Sequence, residues 1–371
     1  MLHLLLPVSL AASAAATATY YVAPPPTGSN SNPGTRTSPF ATITYAYTKV
    51  MAGDTILVRP GTYTDYQSGW GLHLSKSGTA SAPITVRSTK FHRATIDASG
   101  TTFSRRPYGV SIDGSYNVID GFKISTSPGT GLRVDGDYNK VTNNEIFGSG
   151  LDPTNGYNGS GIFEGSGGLG NTYVQNYVRD NGTDGFDHGF YLCGDNMTVV
   201  NNVIVRNSGA GIQVAGYDGV ENIHIYNNTI AYSGTRGIVL WPAQEDGGTT
   251  IDYAQIDNNI IAFNGTDGID GCNPAGTGNV VSNNVIYGNA GTSIDWLACG
   301  PFGQGGFQVT VTNTIAADPK FFRFDDFHLR ADSPAIDAGL NLGTAVPIDY
   351  DGVVRPQGAG FDIGAFELPV P

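Results

Sequence analysis

The sequence predicts an all-β solenoid, a right-handed parallel β-helix, and three observations carry that expectation. An asparagine pair followed by alternating apolar residues recurs along the middle of the chain. Between the pairs lie short strands opened by glycine, which have period-two alternation and must stack to be stable. Composition agrees, because 52 glycines in 371 residues and a charged fraction of 14% leave little material for surface helices.

Taken in order, residues 1–18 hold an apolar run from Leu2 to Leu10 and then small residues with A-x-A sites ending at Ala16 or Ala18. This is the layout of a signal peptide, with a lone His3 where basic residues would normally stand. The run is too short to span a bilayer, and no later segment reaches about 18 uninterrupted apolar residues. The mature chain, 19–371, therefore reads as a single exported domain with no membrane partner. Phe40 to Met51 reads as a short amphipathic helix that plugs the first coil, since an open solenoid needs a cap at both ends. Thr55-Ile56-Leu57-Val58 is expected to start the ladder.

The central coils span about 100–315. Their asparagine pairs are Asn143-Asn144, Asn201-Asn202, Asn227-Asn228, Asn258-Asn259 and Asn283-Asn284, with Gln175-Asn176 filling the gap. The second member steps by 32, 26, 26, 31 and 25 residues, which means fixed coils with loop insertions. At a corner, each such amide can bond its equivalent one rung on and satisfy backbone groups left open by the bend. Of the sequons at Asn158, Asn181, Asn196, Asn227 and Asn264, the one at Asn227 belongs to this ladder and is a poor glycan acceptor. Residues of about 320–371 form the C-terminal cap.

The cysteines Cys193, Cys272 and Cys299 are neither a disulfide framework nor a zinc site by number and spacing. Cys272 and Cys299 fall about one coil apart, so they are either a bridge between rungs or two thiols. Net charge is −13, and all six lysines lie outside residues 141–319. That excludes sequence-independent nucleic-acid binding, which needs clustered cations.

The opening segments Tyr20-Tyr21-Val22-Ala23, Pro39-Phe40-Ala41-Thr42-Ile43, Ala52-Gly53-Asp54-Thr55-Ile56 and Pro60-Gly61-Thr62-Tyr63 resemble the start of secreted pectate-lyase-like β-helix proteins. The closing segments Asp326-Phe327-His328-Leu329, Ser333-Pro334-Ala335-Ile336-Asp337-Ala338-Gly339 and Asp362-Ile363-Gly364-Ala365-Phe366-Glu367 are similar to the end that many of them carry. With the coils, this covers nearly the whole mature chain. The resemblance implies a secreted carbohydrate-active enzyme, first a polysaccharide lyase acting on an acidic, uronate-containing polysaccharide by β-elimination. A glycoside hydrolase using paired Asp residues and a non-catalytic glycan-binding solenoid are the alternatives. A monomer is expected.

Alternation places one outward column on the glycine-opened strands: Ser111, Arg133, Phe163, Tyr191, Gln213, Val239, Asp270 and Asp295. His188, Arg236 and Asp267 stand at the corner before it. A neutral imidazole at His188 could remove the proton next to a uronate carboxyl group, with Tyr191 protonating the leaving oxygen. The alternative is a histidine merely bonded at a turn. Gly185-Phe186-Asp187-His188 resembles part of the Tyr-Gly-Phe-Asp-Pro-His signature of mannuronan epimerases, which brings Asp187 into the catalytic set. Here Asp184 replaces the Tyr and the Pro is absent. Arg236 would clamp the substrate carboxylate, with Arg133, Phe163, Gln213 and Trp241 binding the chain. Asp267, Asp270 and Asp295 could hold calcium, form a glycosidase pair, or be turn residues. Lyases that pair calcium with a lysine base find no candidate lysine between residues 141 and 319.

Overall fold

In the computed structural model, which describes residues 17–64, 71–101, 107–152, 159–217, 219–242, 250–271, 276–295 and 309–369, short strands stack into three long parallel sheets. One sheet has eleven strands and two have nine, so each coil contributes one strand to each face of a parallel β-helix. Of the leader expected over 1–18, residues 1–16 lie outside the described residues, as do Asn158, Cys272 and Cys299.

The helix Ile43–Lys49 covers the first coil. Thr42 caps it by accepting from the Tyr45 backbone N–H, and Ile43, Ala46 and Tyr47 are its buried face. The ladder begins one strand earlier than expected. Thr19–Val22 pairs in parallel with Thr55–Val58 and runs as the edge of the eleven-stranded sheet. This strand precedes the helix, so its register could not be found by counting asparagine pairs. Among the described residues no helix is long and apolar enough to cross a membrane.

The two members of each asparagine pair do different work. Asn143, Asn201, Asn227, Asn258 and Asn283 all adopt positive φ between 50° and 58°, a left-handed bend that asparagine tolerates better than most residues. Their partners Asn144, Asn202, Asn228, Asn259 and Asn284 are wholly buried. Asn176 donates to Asn202 Oδ1 at 3.0 Å, Asn202 to Asn228 at 2.9 Å, and Asn228 to Asn259 at 3.0 Å. A second ladder runs down another corner, where Asn181 donates to Asn207 and Asn264 to Asn289. Three of the sequons, at Asn181, Asn227 and Asn264, are thereby buried, whereas Asn196 is exposed.

The C-terminal segment does more than close an end. The outward asparagines donate to its backbone along successive coils: Asn283 to Ala338 O, Asn258 to Leu340 O, Asn227 to Asp362 O and Asn201 to Ile348 O, with Gln175 to Asp349 O. It is a buttress laid along the flank, pinned by the fully buried pair Arg355–Glu367 at 2.6 Å. It therefore covers a different corner from the glycine-opened strands.

Candidate active site

The outward column forms as alternation requires. Arg133 pairs in register with Ser111 and Phe163, Phe163 with Tyr191, Tyr191 with Gln213, Gln213 with Val239, Val239 with Asp270, and Asp270 with Asp295. Its middle rungs floor a cleft of about 750 Å³, lined by Arg133, Phe163, Tyr191, Gln213, Val239 and Trp241, with His188 and Arg236 from the preceding corner. Three aromatic residues that sequence reasoning missed also line it: Tyr108, Phe186 and Tyr217. Tyr217 had no signal in the repeat, because the register partner of Tyr191 is Gln213 and Tyr217 follows the end of that strand.

Phe163 and Tyr191 stack with centroids 5.1 Å apart. Trp241, Tyr217 and Phe186 are 43%, 44% and 79% exposed, so they present aromatic rings at the surface, of the kind that sugar rings pack against. Arg133 lies over both Tyr108 and Phe163 at 5.1 Å. Neither arginine offers an unclaimed charge. Arg133 makes a two-point contact with Asp135, and Arg236 Nε stands 2.6 Å from Asp270 Oδ2 as an ion pair without the alignment of a hydrogen bond. Asp270 is only 1% exposed, and burial pushes its carboxyl above the usual range while Arg236 holds it down.

His188 is 3% exposed, and its Nδ1 accepts from the buried backbone N–H of Ala210 at 2.9 Å. Burial pushes its pKa down to about 4, with Arg236 adding to the fall and Asp184 opposing it, so the ring is neutral. A neutral imidazole that accepts at Nδ1 carries its proton on Nε2. Turning the ring over would strand the Ala210 N–H against a carbon. This corrects the expectation of a general base: at the cleft His188 has an N–H to donate and no lone pair to receive a proton. That Nε2 is buried and has no hydrogen-bond partner.

The acidic residues are also reassigned. Asp187 is turned into the loop, where its carboxylate accepts from the backbone N–H groups of Gly159, Thr183 and Asp184. It is a turn knot and does not line the cleft. Asp267 accepts from the backbone and hydroxyl of Thr292 at 2.7 and 2.9 Å, and Asp270 faces Arg236. The trio Asp267, Asp270 and Asp295 shares a neighbourhood without converging, and among the described residues no group of three His, Cys, Asp or Glu could hold a metal. The donor set does not fit calcium, which wants several oxygens free to converge. No Asp or Glu lines the described cleft either, so the paired carboxylates of a glycosidase are not brought together there.

Two of the cleft's phenols stand together. Tyr191 Oη and Tyr217 Oη are 2.6 Å apart, and burial together with this bond raises the Tyr191 pKa well above its ordinary value. Cys193, a buried thiol beside them, packs with Tyr191, Ala215 and Phe163.

Residues 20–160 match the family described as "Pel9A-like, right handed beta helix region". The chain is 26% identical to pectate lyase L of Dickeya dadantii (strain 3937) over 400 residues, covering 94% of this chain and 90% of that protein. It is 31% identical to pectate lyase L of Dickeya chrysanthemi over 202 residues, covering 45% of this chain and 46% of that one. Among solved structures, pectate lyase Pel9A shares the fold with a TM-score of 0.66 at 23% identity, over 95% of this chain and 97% of its own. Stacked parallel coils and a capping helix make the chain a right-handed parallel β-helix, similar over residues 20–160 to the Pel9A-like β-helix region and similar in fold to pectate lyase Pel9A.

Proposed function

We propose that this chain is a secreted, monomeric polysaccharide lyase that cleaves a uronate-containing polysaccharide by β-elimination in the aromatic cleft. The observation that carries the reading is its similarity to pectate lyase L along 94% of its length. A cleft walled by sugar-stacking rings and a phenol pair supports it. Trp241, Phe163 and Gln213 bind the chain, and Arg133 and Arg236 shape the two sides.

Elimination breaks the C5–H and C4–O bonds of the uronosyl unit, forms the C4–C5 double bond and leaves a hydroxyl on the departing sugar. The phenol pair balances the protons. Tyr217 receives the C5 proton as it passes its own across the 2.6 Å bond to Tyr191, and Tyr191 gives its proton to the leaving oxygen, so both phenols end as they began. The test is incubation with a panel of polyuronates and neutral glycans. A lyase yields an ultraviolet-absorbing unsaturated product, and Tyr191→Phe and Tyr217→Phe each lower the rate by about 100-fold or more. Reducing sugar without that absorbance, or full turnover in both variants, removes the reading.

A further inference from the structure

We propose that the cleft selects an uncharged acyl group, the alkyl ester of a uronosyl unit, and that His188 Nε2–H donates to the carbonyl oxygen of that ester. The choice of sugar rests on the lyase reading, but the selection for a neutral acyl group rests on three observations of its own.

The first is the fixed donor. Ala210 takes up the lone pair of Nδ1, which leaves a buried Nε2–H at the cleft floor with no acceptor in the protein. An orphaned buried donor is costly unless something bound at the site supplies the acceptor.

The second is charge. A free carboxylate would need a cation, and both guanidinium groups are already held. Arg236, itself 36% exposed, could turn to a substrate only by abandoning Asp270, a carboxylate 1% exposed, and leaving that buried group without its cation is unfavourable. Arg133 is held at two points by Asp135. The cleft is thus close to neutral within a chain of net charge −13, a setting that repels a polyanion.

The third is the chemistry of the acidic trio. Asp267 and Asp270 are engaged by Thr292 and Arg236, so they are not free to gather a cation that would neutralise a carboxylate. Removing a proton beside a carboxylate builds up double negative charge, whereas beside an ester it gives a single enolate charge that one N–H can stabilise. An ester therefore needs only what the cleft holds.

The experiment compares binding of methyl-esterified and saponified polygalacturonate of equal length to the full chain. Wild type should bind the ester about 10-fold tighter. His188→Asn keeps an acceptor for the Ala210 N–H but loses the cleft donor, and should erase most of that preference. His188→Gln restores the reach of the donor and should recover part of it. Independently of any variant, nitrogen NMR of labelled histidine in wild type should show Nδ1 unprotonated and Nε2 protonated at neutral pH. Tighter binding of the saponified chain, an ester preference unchanged in His188→Asn, or a proton on Nδ1 would each overturn the proposal. If ester selectivity appears in binding while no polymer yields unsaturated product, the lyase reading fails and the selectivity stands. If saponified polymer is the better bound and is cleaved with unsaturated product, the reverse holds.

Discussion

The backbone N–H of Ala210 donates to Nδ1 of His188 at 2.9 Å, and this bond between neighbouring rungs decides which end of the ring carries the proton. It also ties stability to pH. The pKa falls from an ordinary 6.5 to about 4 because the ring is buried. Between those values the unfolded chain binds more protons than the folded one, so this group's contribution is complete above pH 6.5 and is lost as pH falls through about 4. The full effect is about 3 kcal/mol. Urea denaturation between pH 7 and 4 should show that slope in wild type and a shallower one in His188→Asn.

Glu164 should give the opposite slope. It is fully buried, accepts from Asn171 Nδ2 at 2.7 Å and Tyr173 Oη at 2.9 Å, and burial pushes its pKa up to about 7. The folded state therefore holds a proton that the unfolded state has released above about 4.5. Stability from this group is complete below that pH and lost as pH rises through 7, a change of about 3 kcal/mol. Glu164→Gln keeps the shape without the charge. Its denaturation midpoint should exceed that of wild type at pH 8, and the gap should close by pH 5.

Gly209 makes room for the histidine. A Cβ there would lie 2.7 Å from His188 Nδ1 and 2.8 Å from the Asp187 carbonyl oxygen. Gly209→Ala should push the ring off Ala210, costing about 1–3 kcal/mol of stability. Histidine NMR should show a changed Nδ1 environment, which an ordinary packing defect elsewhere would leave alone.

The asparagine ladder should be steeply sensitive to substitution. Asn202 receives bonds from Asn176 and donates to Tyr173 O and Asn228 Oδ1. Asn202→Ala leaves several buried partners unsatisfied, and a loss of about 3 kcal/mol is expected from chemical denaturation. Asn196→Ala, at an exposed corner, should change the midpoint little.

The asparagine spacing and the alternation of side chains determined the coils, the inward core and the whole outward column from Ser111 to Asp295, because a parallel ladder repeats its register from rung to rung and a strand has period two. The resemblance of the two ends pointed to the same scaffold. Only the tertiary structure decided what the column's neighbours do. The corners are single left-handed bends, and side-chain direction there follows the bend and the loop inserted beside it, which no strand period encodes. That is why Asp187 turned into its own loop, Asp270 took Arg236, Tyr217 came over to Tyr191, and His188 faced Ala210 with its lone pair. The same freedom let the C-terminal segment run along the flank, where the outward asparagines supply the donors that its backbone needs.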